Sequence, residues 1–143
     1  MAGAHELDRF VDAQDGGLHE RALEEIRGGR KTSHWMWFVF PQLAGLGSSP
    51  TARHYALDDL DAARAYLAHP VLGPRLRAGA EAVAAHTGQD AHGIFGSPDD
   101  LKLRSSLTLF EAVDGPDSIF ARALDTVCDG VRDPLTLRLL DGA

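Results

Sequence analysis

The residue types best suited to chemistry are concentrated in one stretch of the chain, residues 27–50. Both tryptophans and two of the six phenylalanines fall within residues 35–40, directly after the polar run 31–34. A serine or threonine at a helix start leaves backbone N–H groups free, and nearby cations add positive charge, so such a run is typical of an anion site. We therefore expect Lys31 and His34 to contact an anionic ligand, and Trp35 or Trp37 to stack on its ring.

A glycine-serine segment follows the aromatic block. Residues 45–49, Gly-Leu-Gly-Ser-Ser, bring flexible backbone and the hydroxyls of Ser48 and Ser49 within reach of a phosphate. The segment lacks the lysine and the spacing of a Walker A loop, so it is a weak nucleotide motif. His34 is suited to general acid-base work or to donating to a phosphate, and a backbone-bonded histidine at a helix start explains it equally well.

A second polar group lies on the helix predicted after Pro98. Asp100 and Arg104 are spaced as i,i+4 partners, and Lys102 with Ser106 is another such pair. A solvated face with an ordinary ion pair accounts for this pattern. However, Lys31 and Lys102 are the only two lysines in a chain with twelve arginines. A lysine in such a chain indicates a compact ammonium in a confined place, which favours Lys102 as a site residue.

The residues leave two functions of different classes open. In the first, the protein binds a small anionic ligand such as a nucleotide or phosphorylated metabolite, with or without transforming it. In the second, it is a protein-interaction or adaptor module without catalytic activity, and the aromatic block is core or a docking surface. The ligand site of the first hypothesis comprises Lys31, His34, Trp35, Trp37, Gln42, Ser48, Ser49, Lys102 and Arg104.

Other familiar chemistries have no support in the residue pattern. The seven histidines include no His-x-x-x-His pair, so we expect no metal site. No serine lies in a Gly-x-Ser-x-Gly elbow. Cys128 is the single cysteine, which excludes an internal disulfide, and we expect it to be a small buried residue. We name no catalytic residue and no cofactor, and the reaction type stays open.

Composition and charge bound the class of partner. The formal net charge is −7, from 21 acidic and 14 basic residues in 143. Nucleic-acid-binding domains are usually basic, so we expect no general nucleic-acid binding. No window approaches about 18 consecutive apolar residues, and the first residues do not form a secretory signal. We therefore expect a cytoplasmic protein without membrane association, and the arginine and alanine content indicates a bacterial origin.

The elements that must position these residues are helical. Apolar spacings of three and four predict an all-α domain over residues 1–143 with about seven helices, in residues 7–14, 18–26, 57–67, 72–84, 97–113, 117–127 and 134–140. Ser97 is predicted to cap the fifth of these, with Pro98 at its first position. The apolar run 35–40 favours a fully buried central helix, which is the structural alternative to a ligand site.

Several long motifs carry a resemblance to a known family. They are His34-Trp-Met-Trp-Phe-Val-Phe-Pro-Gln42, Gly45-Leu-Gly-Ser-Ser49, His69-Pro-Val-Leu-Gly-Pro-Arg-Leu76, Ile94-Phe-Gly96 and Asp99-Asp-Leu-Lys-Leu-Arg-Ser-Ser-Leu-Thr-Leu-Phe110. With these the chain resembles the domain-of-unknown-function family 1810 over about residues 7–140. The resemblance implies a bacterial, all-helical, single-domain protein. Members often carry the label "calpastatin", which these residues do not support, and the family supplies no established activity.

Overall fold

The structure, a computed structural model, describes the backbone of residues 4–141 and the side chains of residues 7–141. Residues 1–3, where we expect no secretory signal, and residues 142–143 lie outside the described part. The fold class is all-α, as predicted. The helices of residues 4–141 are α1 Ala4–Gln14, α2 Leu18–Arg27, α3 Met36–Val39, α4 Pro50–His54, α5 Leu60–Ala68, α6 Leu72–Ala84, α7 Ala91–Phe95, α8 Asp99–Asp114, α9 Ile119–Val127 and α10 Pro134–Asp141.

The seven helices predicted from apolar spacing are the seven longer ones, namely α1, α2, α5, α6, α8, α9 and α10. Local chemistry explains several of their ends. Helix α2 ends at Gly28, and Gly29 follows with a φ of 80°, a left-handed conformation that glycine adopts without strain. Asp59 and Ser118 cap α5 and α9 by accepting from the third backbone N–H beyond them. Glycine at one helix end and side-chain caps at two helix starts therefore account for these boundaries.

The predicted cap at Ser97 is wrong. Helix α8 begins at Asp99, one residue later than expected, and Pro98 itself occupies the cap position. Pro98 has φ −91° and ψ 9°, which are not helical angles, so the first turn starts after it. The backbone N–H of Asp100 donates to the Gly96 carbonyl at 2.8 Å instead. Asp99 is therefore the first residue of the helix.

The aromatic run 35–40 does not form the long central helix that its composition favours. Only Met36–Val39 is helical, and Phe40 leaves the helix with φ −125° and ψ 78°. Pro41 explains the break, because a proline disfavours the α conformation at the residue before it. Beyond the break the chain runs to Leu43, which forms an isolated bridge with Leu57. The single-turn helix therefore sends neighbouring aromatic side chains in different directions.

Helices α6 and α8 organise the core. Helix α6 packs against α2, α5 and α9, and α8 packs against α3, α5, α7, α9 and α10. The largest fully buried side chains include Trp35, Tyr66, Phe40 and Phe110. Among residues 4–141, no helix combines the length and apolar character needed to cross a membrane. Helices α3 and α10 both contact α8, and the candidate functional site lies among these three helices.

Candidate functional site

Residues 32–35 form an anion site whose occupant is the chain's own Glu25. Glu25 Oε1 accepts hydrogen bonds from the backbone N–H groups of Thr32 and Ser33 at 2.8 and 2.9 Å, and from Trp35 Nε1 at 2.9 Å. Glu25 Oε2 accepts from the Ser33 hydroxyl at 2.7 Å. Burial raises the pKa of this carboxyl, but the donors outweigh burial and lower it to about 2. The free N–H groups expected here are therefore already satisfied.

Lys31 is enclosed in the same way. Its Nζ lies 2.8 Å from Asp99 Oδ2 and donates to the Ser33 carbonyl at 2.6 Å. It also lies 5.0 Å from the centre of the Trp35 ring, and only 7% of the Lys31 side chain is exposed. The Lys31 ammonium therefore links the segment before α3 to the start of α8. The structure does not leave it free for a ligand.

Lys102 shares the same carboxylate. Its Nζ lies 3.5 Å from Asp99 Oδ1, and Asp99 therefore joins the two lysines of the chain. The Lys102 ammonium also lies 4.3 Å from the centre of the Trp37 ring, a cation–π contact. About 23% of the Lys102 side chain is exposed, so it lies at the surface without being freely solvated. Of the two lysine side chains, that of Lys102 is the more exposed.

The two tryptophans have different environments. Trp35 is fully buried, with its ring 5.9 Å from Phe95 and 6.4 Å from Phe40. Its side chain cannot stack on a ligand, and it belongs to the core, as the structural alternative predicts. Trp37 is half-buried beside Lys102. The aromatic block is therefore divided between core and surface.

A groove of about 430 Å³ opens beside Trp37 and Lys102, and we call it the Trp37–Lys102 groove. It runs between the segment after α3, the start of α8 and the start of α10. Its lining is Trp37, Gln42, Leu46, Gly47, Ser48, Ser49, Ala52, Pro98, Leu101, Lys102, Ser105, Asp133 and Leu135. Five of the nine residues proposed from the sequence meet here: Trp37, Gln42, Ser48, Ser49 and Lys102. Ser49 also caps α4, accepting from the Ala52 N–H at 3.1 Å.

The other four proposed residues do not line the groove. Lys31 and Trp35 lie in the interior contacts described above, and His34 is exposed elsewhere. Arg104 is half-buried, and its Nε is buried without a hydrogen-bond partner in the described part of the chain. Burial raises the pKa of the Cys128 thiol, and the nearby guanidinium of Arg104 opposes the rise. Arg104 therefore lies close to Cys128 rather than in the groove lining.

The ion pair expected between Asp100 and Arg104 is not formed within residues 7–141. Asp100 Oδ2 lies 3.3 Å from His92 Nδ1 instead. Ser106, the expected partner of Lys102, is fully buried, and its hydroxyl has no partner among the described residues. Lys102 extends toward Trp37 and Asp99 rather than along its own helix. Spacing on a helix indicated which side chains share a face, and tertiary contacts decided which of them pair.

Asp133 is the main groove residue that the sequence did not reveal. Its Oδ2 accepts from the Ser105 hydroxyl at 3.0 Å, the Thr136 N–H at 3.1 Å and the Thr136 hydroxyl at 2.5 Å. Its own N–H donates to the Thr108 hydroxyl at 2.9 Å. The only sequence signal was its place before Pro134, which indicates a helix start. Nothing local connects that start with Lys102.

A second depression lies between α6 and α9 and measures about 510 Å³. It is wider and more open than the groove, and it has no aromatic lining. Its charged residues are Glu81, Arg122 and Asp125, all of them exposed. Within residues 7–141, no three histidine, cysteine or carboxylate side chains are grouped to hold a metal ion. The Trp37–Lys102 groove is therefore the stronger candidate site.

Comparisons with known proteins agree on the family and supply no activity. The family model described as "Protein of unknown function (DUF1810)" matches residues 4–140. The crystal structure of the conserved hypothetical protein Rv1873 from Mycobacterium tuberculosis is 47% identical and has a TM-score of 0.91, with 95% of this chain and 96% of that chain covered. No curated protein matches the chain. The chain therefore belongs to the DUF1810 family, whose function is unknown.

Proposed function

We propose that this protein binds a small anionic ligand, a nucleotide or phosphorylated metabolite, in the Trp37–Lys102 groove. The observation that carries the proposal is the position of the Lys102 ammonium, 4.3 Å from the Trp37 ring centre at the wall of the groove. A cation held over an aromatic face beside hydroxyl and amide side chains is suited to an anion next to a planar group.

The local charge supports an anion in spite of the overall charge of −7. Two ammonium groups, Lys31 and Lys102, share the single carboxylate of Asp99. Asp99 lies closer to Lys31, at 2.8 Å, than to Lys102, at 3.5 Å. Lys102 is therefore the less satisfied partner, and one positive charge remains in excess within the cluster of Lys31, Asp99 and Lys102. A discrete anion fits this arrangement better than a polymer, which needs many such contacts.

The groove also offers a surface for a planar group of the ligand. Lys102 covers one face of the Trp37 ring in the free protein. An anion that draws the ammonium toward itself uncovers that face, and a ring of the ligand stacks there in its place. Gln42 and Ser48 supply further hydrogen-bonding groups along the lining. Binding thus exchanges one cation–π contact for a charge pair and a stacked ring.

The test is a fluorescence titration of the native protein, Lys102→Met and Arg64→Met with AMP and with inorganic phosphate. Arg64 is a matched control because its side chain is 57% exposed, pairs with Asp61 and does not line the groove. We expect saturable emission changes in the native protein and the control. Loss of a charge-assisted contact should weaken binding to Lys102→Met by about tenfold or more. Equal affinities for all three proteins would reject the groove as the site.

A second function, protein interaction, is supported by a different observation. Large apolar side chains are exposed on α8, just before α10 and on α10: Leu101 (54%), Val131 (50%), Leu135 (53%) and Leu137 (43%). Of these, Leu101 and Leu135 both line the groove, and neighbouring exposed apolar side chains are typical of interaction surfaces. The test is co-purification with cellular proteins of the native chain and of a Leu101→Ser, Leu135→Ser double variant. A partner retained by the native chain and lost by the variant would favour this function.

A further inference from the structure

We infer that the ligand of the Trp37–Lys102 groove carries two recognition groups, an anionic group for Lys102 and an N–H donor for Asp133. The inference rests on the proposed function and names the class of ligand. It comes from a carboxylate that the proposed anion site does not use. Asp133 lines the same groove as Lys102.

One oxygen of Asp133 is occupied and the other is open. Oδ2 accepts from the Ser105 hydroxyl and from both the N–H and the hydroxyl of Thr136. Within residues 7–141, Oδ1 has no hydrogen-bond partner, and it is not among the buried atoms that lack one. Asp133 is half-buried and belongs to the lining. Oδ1 is therefore an acceptor left open by the described residues, on a held side chain that lines the groove.

The surroundings hold this acceptor in place. The Ser105 hydroxyl lies 3.0 Å from both Asp133 Oδ2 and the Leu101 carbonyl, which ties the start of α10 to α8. The Asp133 N–H is held by the Thr108 hydroxyl at 2.9 Å. A side chain with this many contacts loses little conformational freedom when a ligand binds. The Asp133 carboxylate is therefore preorganised to accept a hydrogen bond from a ligand N–H group.

The charges of the groove favour a ligand with both kinds of group. The excess positive charge of the Lys31, Asp99 and Lys102 cluster is matched by the negative charge of Asp133. A polyphosphate would bring several negative charges to one ammonium and would face the Asp133 carboxylate, which like-charge repulsion disfavours. A ligand with one anionic group and one N–H donor satisfies both charged groups.

The shape of the groove narrows the class further. Its volume of about 430 Å³ lies in the lower part of the range for small-molecule sites. Leu101 and Leu135 add apolar side chains to the lining. A monophosphate that carries an amino-bearing ring matches this lining: the phosphate reaches Lys102, the ring stacks on Trp37 beside the apolar side chains, and the amino group donates to Asp133. AMP is a suitable probe of this class.

The experiment measures calorimetric affinities of AMP, purine riboside 5′-monophosphate and ATP for the native protein. AMP has an exocyclic amino donor on its ring, whereas purine riboside 5′-monophosphate has only a hydrogen there and no ring N–H. We expect AMP to bind about tenfold or more tightly than purine riboside 5′-monophosphate, because only AMP donates to Asp133 Oδ1. We also expect ATP to bind more weakly than AMP. This comparison needs no variant.

Asp133→Asn then removes the preference. Asparagine keeps an oxygen for Thr136 and is as good a helix cap as aspartate, and its amide nitrogen presents a donor where the AMP amino group needs an acceptor. The variant should bind AMP and purine riboside 5′-monophosphate with similar affinities, while Asp61→Asn, an exposed carboxylate away from the groove, should keep the native order. Equal native affinities for the two nucleotides, or an unchanged ratio in Asp133→Asn, would overturn the inference and leave the proposed function standing. Absence of saturable binding by AMP, purine riboside 5′-monophosphate, ATP and inorganic phosphate would overturn both.

Discussion

Replacement of Glu25 by glutamine tests the internal carboxylate that organises the segment before Trp35. The Glu25 side chain joins the end of α2 to Thr32, Ser33 and the indole of Trp35. Glutamine has nearly the same shape and keeps one accepting oxygen. It loses the negative charge, and its amide nitrogen replaces the oxygen that accepts from the Ser33 hydroxyl. The substitution therefore removes the charge-assisted part of the interaction without leaving a large cavity.

The size of the effect follows from the pKa of Glu25. Burial raises this pKa, but the donors outweigh it and lower the value from 4.5 to about 2. A pKa lowered by one is worth about 1.4 kcal/mol, so the whole lowering corresponds to about 3 kcal/mol. The carboxylate is partly exposed, so we expect a loss of about 2 kcal/mol in the free energy of unfolding at neutral pH. Because the folded pKa lies below the unfolded one, this contribution is complete above about pH 5 and disappears as the pH falls toward 2.

The assay is urea-induced unfolding, followed by the fluorescence of the buried Trp35, at neutral and acidic pH. Glu24→Gln is the matched control, since Glu24 is the exposed neighbour on the same helix. The difference in stability between the two variants should shrink to less than half by about pH 3. The reasoning would be refuted if Glu25→Gln were as stable as Glu24→Gln, or if the difference were the same at both pH values.

Three further predictions concern stability and titration. Lys31→Met should cost about 2–3 kcal/mol in urea unfolding, more than Lys102→Met, because Lys31 is the buried partner of Asp99; equal costs would contradict this. Gly79→Ala should lower the free energy of unfolding by about 1–2 kcal/mol, because a Cβ there would lie 3.0 Å from Phe40 Cζ. Gly88→Ala is the control and should leave the stability unchanged, because a Cβ there would have no atom within 4 Å. Burial lowers the pKa of His19, so its NMR titration midpoint should fall below 6.5. The free energy of unfolding that this residue contributes should therefore decrease as the pH falls below that value. A midpoint above 6.5 would count against burial of His19 as a neutral ring.

Much of the fold could be predicted from the sequence because the longer helices have strong local signals. Helix α2, for example, has apolar residues at helical spacing and ends at Gly28 with Gly29 beyond it. The short helices lack such signals, since a helix of four or five residues is not stable alone and forms only through tertiary contacts. Helix α3 shows the difference: its composition favours a longer helix, and Pro41 ends it.

The site could be predicted only in part. The rarity of lysine singled out Lys31 and Lys102, which meet at Asp99 in the structure. Their division of roles, one interior and one at the groove, depends on burial that no spacing reveals. Glu25 was missed although it lies only seven residues before Thr32, the first residue it binds, because nothing marks one carboxylate on an acidic helix. Asp133 was missed because its contact with Ser105 joins segments distant in sequence.

The central claim is that a small anion binds beside Trp37 and Lys102, and NMR of the two indole N–H groups tests it most directly. Trp35 Nε1 is bonded to Glu25 inside the protein, so its resonance is an internal control, whereas Trp37 lines the groove. During titration with AMP, we predict a saturable shift of the Trp37 resonance, little change at Trp35, and loss of the Trp37 shift in Lys102→Met. A Trp37 resonance that does not move, or one that moves equally in Lys102→Met, would contradict the account.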